Sequence, residues 1–286
     1  MKYSVSSYSF SQLTSSGACT EKQLIAIAAE MGFDGIEFAE IHTPEGLSKT
    51  EYAQSLRDEA QKQQIKIVAY CVGANLLADT DAEISRLKGE VDIAAALGAG
   101  IMRHDATGGY DKENRRQRGF KNALPDIVRG YKEVTEYAKT RKLRTCIENH
   151  GLFCQDSARV EAIINGVADD NFGALVDIGN FMCADENPAV AVGNLAPYAF
   201  HVHAKDFHVK SGSGFVPPQG YFMTRGGNFL RGAIIGHGEV PVLQCLRILK
   251  NSGYNSFVTV EFEGMEEAKK GVKCGLDTLK QIEELI

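Results

Sequence analysis

Eight short apolar runs, each followed by a stretch with helical spacing, are strung along the 286 residues in the order strand then helix, and this alternation constrains the fold more than any other property of the chain. The runs cover residues 3–6, 35–38, 65–70, 100–104, 144–147, 173–176, 200–204 and 257–260. Residues 65–70 and 257–260 are closer to continuous than to alternating in apolar character, with Lys66 and Thr259 as the interruptions, as strands covered on both faces by crossover helices are. Helix boundaries are written between the runs. Thr20 with Gln23 and Thr80 with Glu83 have capping-box spacing, and Gly32, Gly98 and Gly253 stand where a left-handed helix cap is wanted.

Eight such units in a chain of this length predict an α/β fold of one domain over 1–286, a single (β/α)8 TIM barrel. The composition, 44% hydrophobic and 24% charged, supplies the apolar surface that a ring of helices around a barrel requires. The rival is an open doubly wound sheet. It would carry a glycine-rich phosphate turn after the first strand, and Ser6-Ser7-Tyr8-Ser9-Phe10 is not one. Residues 211–238, with Pro217-Pro218 and Gly226-Gly227, read as a long irregular loop near the active-site mouth.

Several functions are disfavoured at this level. A net charge of −6 without a Lys/Arg run argues against nucleic acid as a partner. No apolar stretch is long enough for a membrane span. Seven scattered cysteines without a CxxC pair, and the lack of an apolar leader after Met1, predict a reduced, cytoplasmic protein. Nucleophile elbow, P-loop and dinucleotide fingerprints are missing, so hydrolase, kinase and dehydrogenase readings have no signature here.

The informative anomaly is charge at the ends of four late strands. Glu148, Asp177, His203 and Glu261 each follow an apolar run, and in a barrel all four ends face one mouth. Taken singly each has a plainer explanation, such as Asp177 capping the Gly179-Asn180 turn. Together they put three carboxylates in one dry place, where they repel unless a cation holds them. Three carboxylates and an imidazole suit one divalent metal ion: Mn2+, Mg2+, Co2+ or Zn2+. Around this set Glu37, His104, His150, Lys205 and Arg225 are candidate substrate-binding residues, Lys205 above all, because it follows His203 by two and shares its side of the strand. Arg103 reads equally well as a substrate contact or a solvated surface residue. His42, His208 and His237 read as residues without a role at the site.

At Ile147-Glu148-Asn149-His150-Gly151, Val176-Asp177-Ile178-Gly179-Asn180, His201-Val202-His203-Ala204-Lys205-Asp206 and Val260-Glu261 the sequence resembles the xylose isomerase-like TIM-barrel superfamily, the sugar phosphate isomerase/epimerase group. The resemblance spans essentially the whole chain, from Gly32-Phe33-Asp34-Gly35-Ile36-Glu37 onward, and includes Gly236-His237-Gly238. It implies a single metal on Glu148, Asp177, His203 and Glu261, with Glu148 and Glu261 as catalytic base and acid. It also implies a small carbohydrate substrate and leaves room for a homo-oligomer, dimer or tetramer. Ketose 3-epimerases of the group add a Glu, a His and an Arg where this chain has Cys154, Asn180 and Val209. Endonuclease IV-like members need further His and Asp ligands, and Asn180 replaces one of them.

The expected function is therefore a divalent-metal-dependent isomerase or epimerase of a sugar, sugar phosphate or polyol, working by proton transfer through a metal-stabilised enediolate. Two alternatives stand: a metal-dependent dehydratase (lyase) of a keto-sugar or inosose, and a noncatalytic sugar-binding barrel.

Overall fold

A computed structural model describes residues 1–111, 113, 118–217 and 219–286. The strands in chain order are β1 (Lys2–Ser6), β2 (Gly35–Ala39), β3 (Lys66–Val72), β4 (Ile101–His104), β5 (Arg144–Glu148), β6 (Phe172–Asp177), β7 (Ala199–Ala204), β8 (Asp206–Lys210), β9 (Phe222–Met223), β10 (Phe229–Ala233) and β11 (Phe257–Val260). Strands β1 to β7 and β11 run parallel and close on themselves, with β1 hydrogen-bonded to both β2 and β11. All eight sequence-predicted runs are barrel strands, with ends shifted by at most two residues. The fold is a (β/α)8 TIM barrel.

The helices are α1 (Ser11–Ser15), α2 (Glu21–Met31), α3 (Lys49–Lys62), α4 (Thr80–Leu97), α5 (Phe120–Thr140), α6 (Ser157–Val167), α7 (Pro188–Leu195), α8 (Val242–Asn251) and α9 (Ala268–Glu283). Helix α5 shows why they ring the barrel: Ala123, Ile127, Tyr131, Val134 and Ala138 recur every three or four residues and are all buried. Among the described residues no helix is long and apolar enough to cross a membrane.

Thr20 and Gln23 form the expected capping box of α2, and Gly32 ends it at φ 85°. At α4 the expectation is wrong by one residue. Asp79 is the N-cap, accepting from Ala82 N at 3.1 Å, while Thr80 is already helical and its hydroxyl donates to the Leu76 carbonyl at 2.8 Å. A carboxylate caps at least as well as a hydroxyl, so the preceding Asp wins.

The segment 211–238 is not wholly irregular. It contributes β9 and β10, which join β8 in a three-stranded antiparallel sheet of order β8-β10-β9. Pro218 lies outside the described residues. The segment's end is tied back by Asp206, whose carboxylate accepts from the N–H groups of Gly236, Gly238 and Val240 at 2.8, 2.9 and 3.0 Å.

Candidate metal centre

Strand register brings the late strand ends together. Asp177 and His203 are paired across β6 and β7, and His203 and Thr259 across β7 and β11. Asn149 ties the end of β5 to that of β6: its side chain accepts from Asp177 N and donates to Asp177 O, both at 2.9 Å. Gly179 lets the backbone after β6 approach the backbone after β7, since a Cβ there would meet the Lys205 carbonyl oxygen at 2.8 Å.

In this frame Glu148, Asp177, His203 and Glu261 offer one ligand atom each, and the four atoms lie within 4.8 Å of one another. His203 Nδ1 stands 3.3 Å from Glu261 Oε2, 3.7 Å from Glu148 Oε1 and 3.9 Å from Asp177 Oδ2. All are buried except Glu261, whose side chain is 12% exposed. Asp177 Oδ2, His203 Nδ1 and Glu261 Oε2 make no hydrogen bond. Atoms of two carboxylates and an imidazole without hydrogen bonds, converging with Glu148 Oε1, fit a divalent cation.

Two buried cations flank this centre. Lys205 Nζ lies 2.6 Å from Glu261 Oε2, close but off the hydrogen-bond direction, and 3.3 Å from Asp177 Oδ2 and 3.1 Å from Glu263 Oε1. Arg103 Nη2 lies 2.5 Å from Glu148 Oε2 and 2.7 Å from Asp105 Oδ1. Burial works against the Lys205 charge, but Asp177 and Glu261 outweigh it and hold the ammonium protonated. Burial also lifts the Asp177 carboxyl above its usual range, with Glu261 and Glu148 adding to the effect against Lys205.

A cavity of about 370 Å3 opens on the centre. Its lining includes Glu37, Glu148, His150, His203, Lys205 and Glu261 from the sequence reading. Arg103 lines it as well and is buried, not solvated, because its guanidinium is taken up by Glu148 and Asp105. His42, expected to be a bystander, lines it while its Nδ1 sits 3.0 Å from Glu21 Oε1. His150 Nδ1 is 2.9 Å from Asp105 Oδ1.

Two expected contacts are not brought to the cavity. His104 alternates with Arg103 along β4 and so faces outward, stacked on Tyr131 of α5 with ring centroids 4.3 Å apart. Arg225 is engaged by Asp156 Oδ2 at 2.8 Å and by the Leu152 carbonyl. Among the described residues, none from 211–238 lines the cavity.

Sequence reasoning missed Asp105, Glu263 and the role of Asn180. Asn180 donates to Glu148 Oε1 at 3.1 Å and accepts from Lys205 Nζ at 3.2 Å, so it bridges the acid of one strand and the cation of another. The available signal was position: Asp105 follows Arg103-His104 at a strand end, and Glu263 follows Glu261 by two.

The family model described as xylose isomerase-like TIM barrel matches residues 25–282. No curated protein matches the sequence. Similar solved structures include D-psicose 3-epimerase from Clostridium cellulolyticum H10 with D-tagatose, 16% identical at a TM-score of 0.72 and covering 99% of both chains. The probable 3-DHS dehydratase AsbF of Bacillus anthracis, involved in petrobactin synthesis, is 17% identical at a TM-score of 0.74, with 98% of this chain and 99% of that one covered. The IolI protein with a bound zinc atom is 19% identical at 0.73, with 99% of this chain and 98% of that one covered. At these identities the likeness is one of fold.

Proposed function

The chain belongs to the xylose isomerase-like TIM barrel family, and from that premise we propose that it is a divalent-metal-dependent isomerase or epimerase acting on a sugar, sugar phosphate or polyol. The observation that carries this reading is the convergence of Glu148, Asp177, His203 and Glu261 through buried atoms, three of them without hydrogen bonds. These four residues would hold the ion. When bound, it supplies Lewis-acid charge beside a substrate carbonyl and hydroxyl, which makes the neighbouring C–H acidic.

The chain's own residues do the rest. Glu148 and Glu261 come from β5 and from the end of β11, separate walls of the barrel mouth, and both line the cavity. One takes the proton from carbon as the electron pair moves toward the carbonyl oxygen, and the other returns a proton. Arg103 fixes Glu148 by its Oε2 and leaves Oε1 turned to the centre. Lys205, kept protonated, donates to a substrate oxygen.

A second reading, dehydration of a keto-sugar or inosose, is favoured by the occupied position 180. Asn180 is committed to Glu148 and Lys205, and Cys154 and Val209 supply no polar contact of the 3-epimerase kind.

The test is solvent-deuterium incorporation into a panel of ketoses, polyols and inososes with Mn2+, followed by mass spectrometry. Isomerase or epimerase action leaves label without mass loss, and dehydration shows loss of water. Glu148→Gln and Glu261→Gln should each lower turnover by several orders of magnitude. Unchanged turnover in both excludes the mechanism, and a protein that washes no label into any member and removes water from none is a binding barrel.

A further inference from the structure

We infer that Glu37 is a positioning residue for the metal centre: from inside the barrel its carboxylate holds the proton of His203 on Nε2 and so aims the Nδ1 lone pair at Glu148, Asp177 and Glu261. The inference rests on the metal reading above. Glu37 ends no exposed turn; it is completely buried on β2, and its Oε2 lies 2.9 Å from His203 Nε2 and 2.9 Å from His201 Nε2. An ionised carboxylate only accepts, so both rings must present N–H to it. His203 then has one nitrogen left with a lone pair, Nδ1, and that is the atom facing the three carboxylates.

The layer around Glu37 argues for a purpose. The interior of such a barrel is ordinarily filled with branched apolar side chains. Here one level holds a polar chain instead. His201 Nε2 is 2.8 Å from Thr259 Oγ1, which is 2.6 Å from Ser4 Oγ, and all four residues are buried. Burying a carboxylate with one oxygen, Oε1, left without a hydrogen bond is costly. Packing alone would be better served by an apolar residue, whereas orientation of a ligating imidazole requires an acceptor at this point. His201 takes the second share of Oε2.

The same atoms allow a competing assignment, because Glu37, Cys71 and His203 also come close enough to ligate an ion of their own. The 2.9 Å contact between Glu37 Oε2 and His203 Nε2 favours the hydrogen-bonded arrangement.

The experiment is a Mn2+ and Zn2+ titration of the full chain by calorimetry, with metal content per chain, for wild type, Glu37→Gln and Cys71→Ser. Histidine side-chain 15N shifts are recorded on the zinc-loaded and metal-free proteins. Wild type should bind one ion, Glu37→Gln should bind it about 10- to 100-fold more weakly, and Cys71→Ser should still bind one ion. His203 in wild type should show a protonated Nε2 with and without zinc. Where Glu37→Gln does not fold, the wild-type shifts decide: a His203 Nε2 that carries no proton in the zinc-loaded protein overturns the inference. So does a folded Glu37→Gln within threefold of wild type, or a second ion in wild type that Cys71→Ser removes. A wild-type protein that binds no divalent ion refutes the metal reading itself, a different result from any of these.

Discussion

Asp177→Asn separates the cost of the charge cluster from the benefit of the cation it is built for. Asp177 Oδ1 accepts from Gly179 N at 2.8 Å and Asn180 N at 2.9 Å, so an asparagine with its oxygen on that side keeps both bonds at unchanged volume. In the metal-free protein the change removes repulsion from Glu148 and Glu261, whose facing oxygens lie within 4.8 Å; at an effective dielectric near 20 that is about 3.5 kcal/mol for each pair. It also removes the attraction of Lys205 Nζ at 3.3 Å, about 5 kcal/mol on the same scale. Protonated His203 at 3.9 Å adds a second lost attraction of about 4 kcal/mol, so the pair interactions alone stand about 2 kcal/mol against the variant; relief of the buried charge, the largest influence on this carboxyl and worth several kcal/mol, turns the sign and leaves the variant about 2 kcal/mol more stable.

For a chain of this size that is roughly 3 °C in Tm. Scanning fluorimetry at pH 8 with chelator should show the variant melting above wild type. With Mn2+ at 100 times its Kd, wild type gains about 2.7 kcal/mol and the variant little, so the order disappears or reverses. Because the folded carboxyl titrates above its usual range, the unfolded chain loses its proton first as pH rises. Metal-free wild type should therefore lose stability above the ordinary carboxylate range, a slope the variant lacks. A metal-free variant less stable than wild type, or one that keeps the full Mn2+ shift, refutes the reasoning.

Arg103→Met strips Glu148 and Asp105 of their shared cation in a buried setting and should cost about 3–5 kcal/mol in urea unfolding of the metal-free protein, with Mn2+ recovering part of it. An unchanged urea midpoint would show that the ion pair carries no stability. His104 is pulled from 6.5 down to about 4 by burial, so the unfolded chain binds the extra proton between those values and stability falls as pH drops through that window, by up to about 3 kcal/mol. His104→Phe keeps the stack on Tyr131 and removes the titrating group. Its unfolding free energy between pH 6.5 and 4 should fall less steeply than that of wild type, and equal slopes would exclude this origin.

The strands were legible because each is a short β-branched or apolar run set between stretches with helical spacing, a local property. The four convergent ligand positions were legible for the opposite reason, since a charge directly after such a run breaks the pattern. What failed was whatever depends on a competing neighbour or a distant partner. Thr80 has the spacing of a cap, but Asp79 sits one residue earlier and takes the role. Strands β9 and β10 are two and five residues long within a Gly- and Pro-containing segment, too short for periodicity to register. Arg103 reads equally well as solvated or substrate-contacting because nothing nearby in sequence shows Glu148 waiting across the strand.

The arrangement along β7 shows what kind of information was missing. His201, His203 and Lys205 recur every second residue, so the pleat points all three into the barrel at successive heights. That much the sequence shows, as an alternation of basic side chains. Each height is answered by acids from elsewhere. Glu37 meets His201 and His203 across 164 and 166 residues. Lys205 meets Asp177 beside it and Glu261 and Glu263 from the end of β11. Moving up the barrel, one acid meets His201, four (Glu37, Glu148, Asp177 and Glu261) surround His203 and three meet Lys205 just beyond β7, while each height supplies only one basic group from this stretch. The surplus of negative charge therefore collects at the level of His203 Nδ1 and the cavity floor, which is where a divalent ion offsets it. A basic stripe on one strand thus specifies the depth of the centre, and closure of the barrel decides which acids complete it.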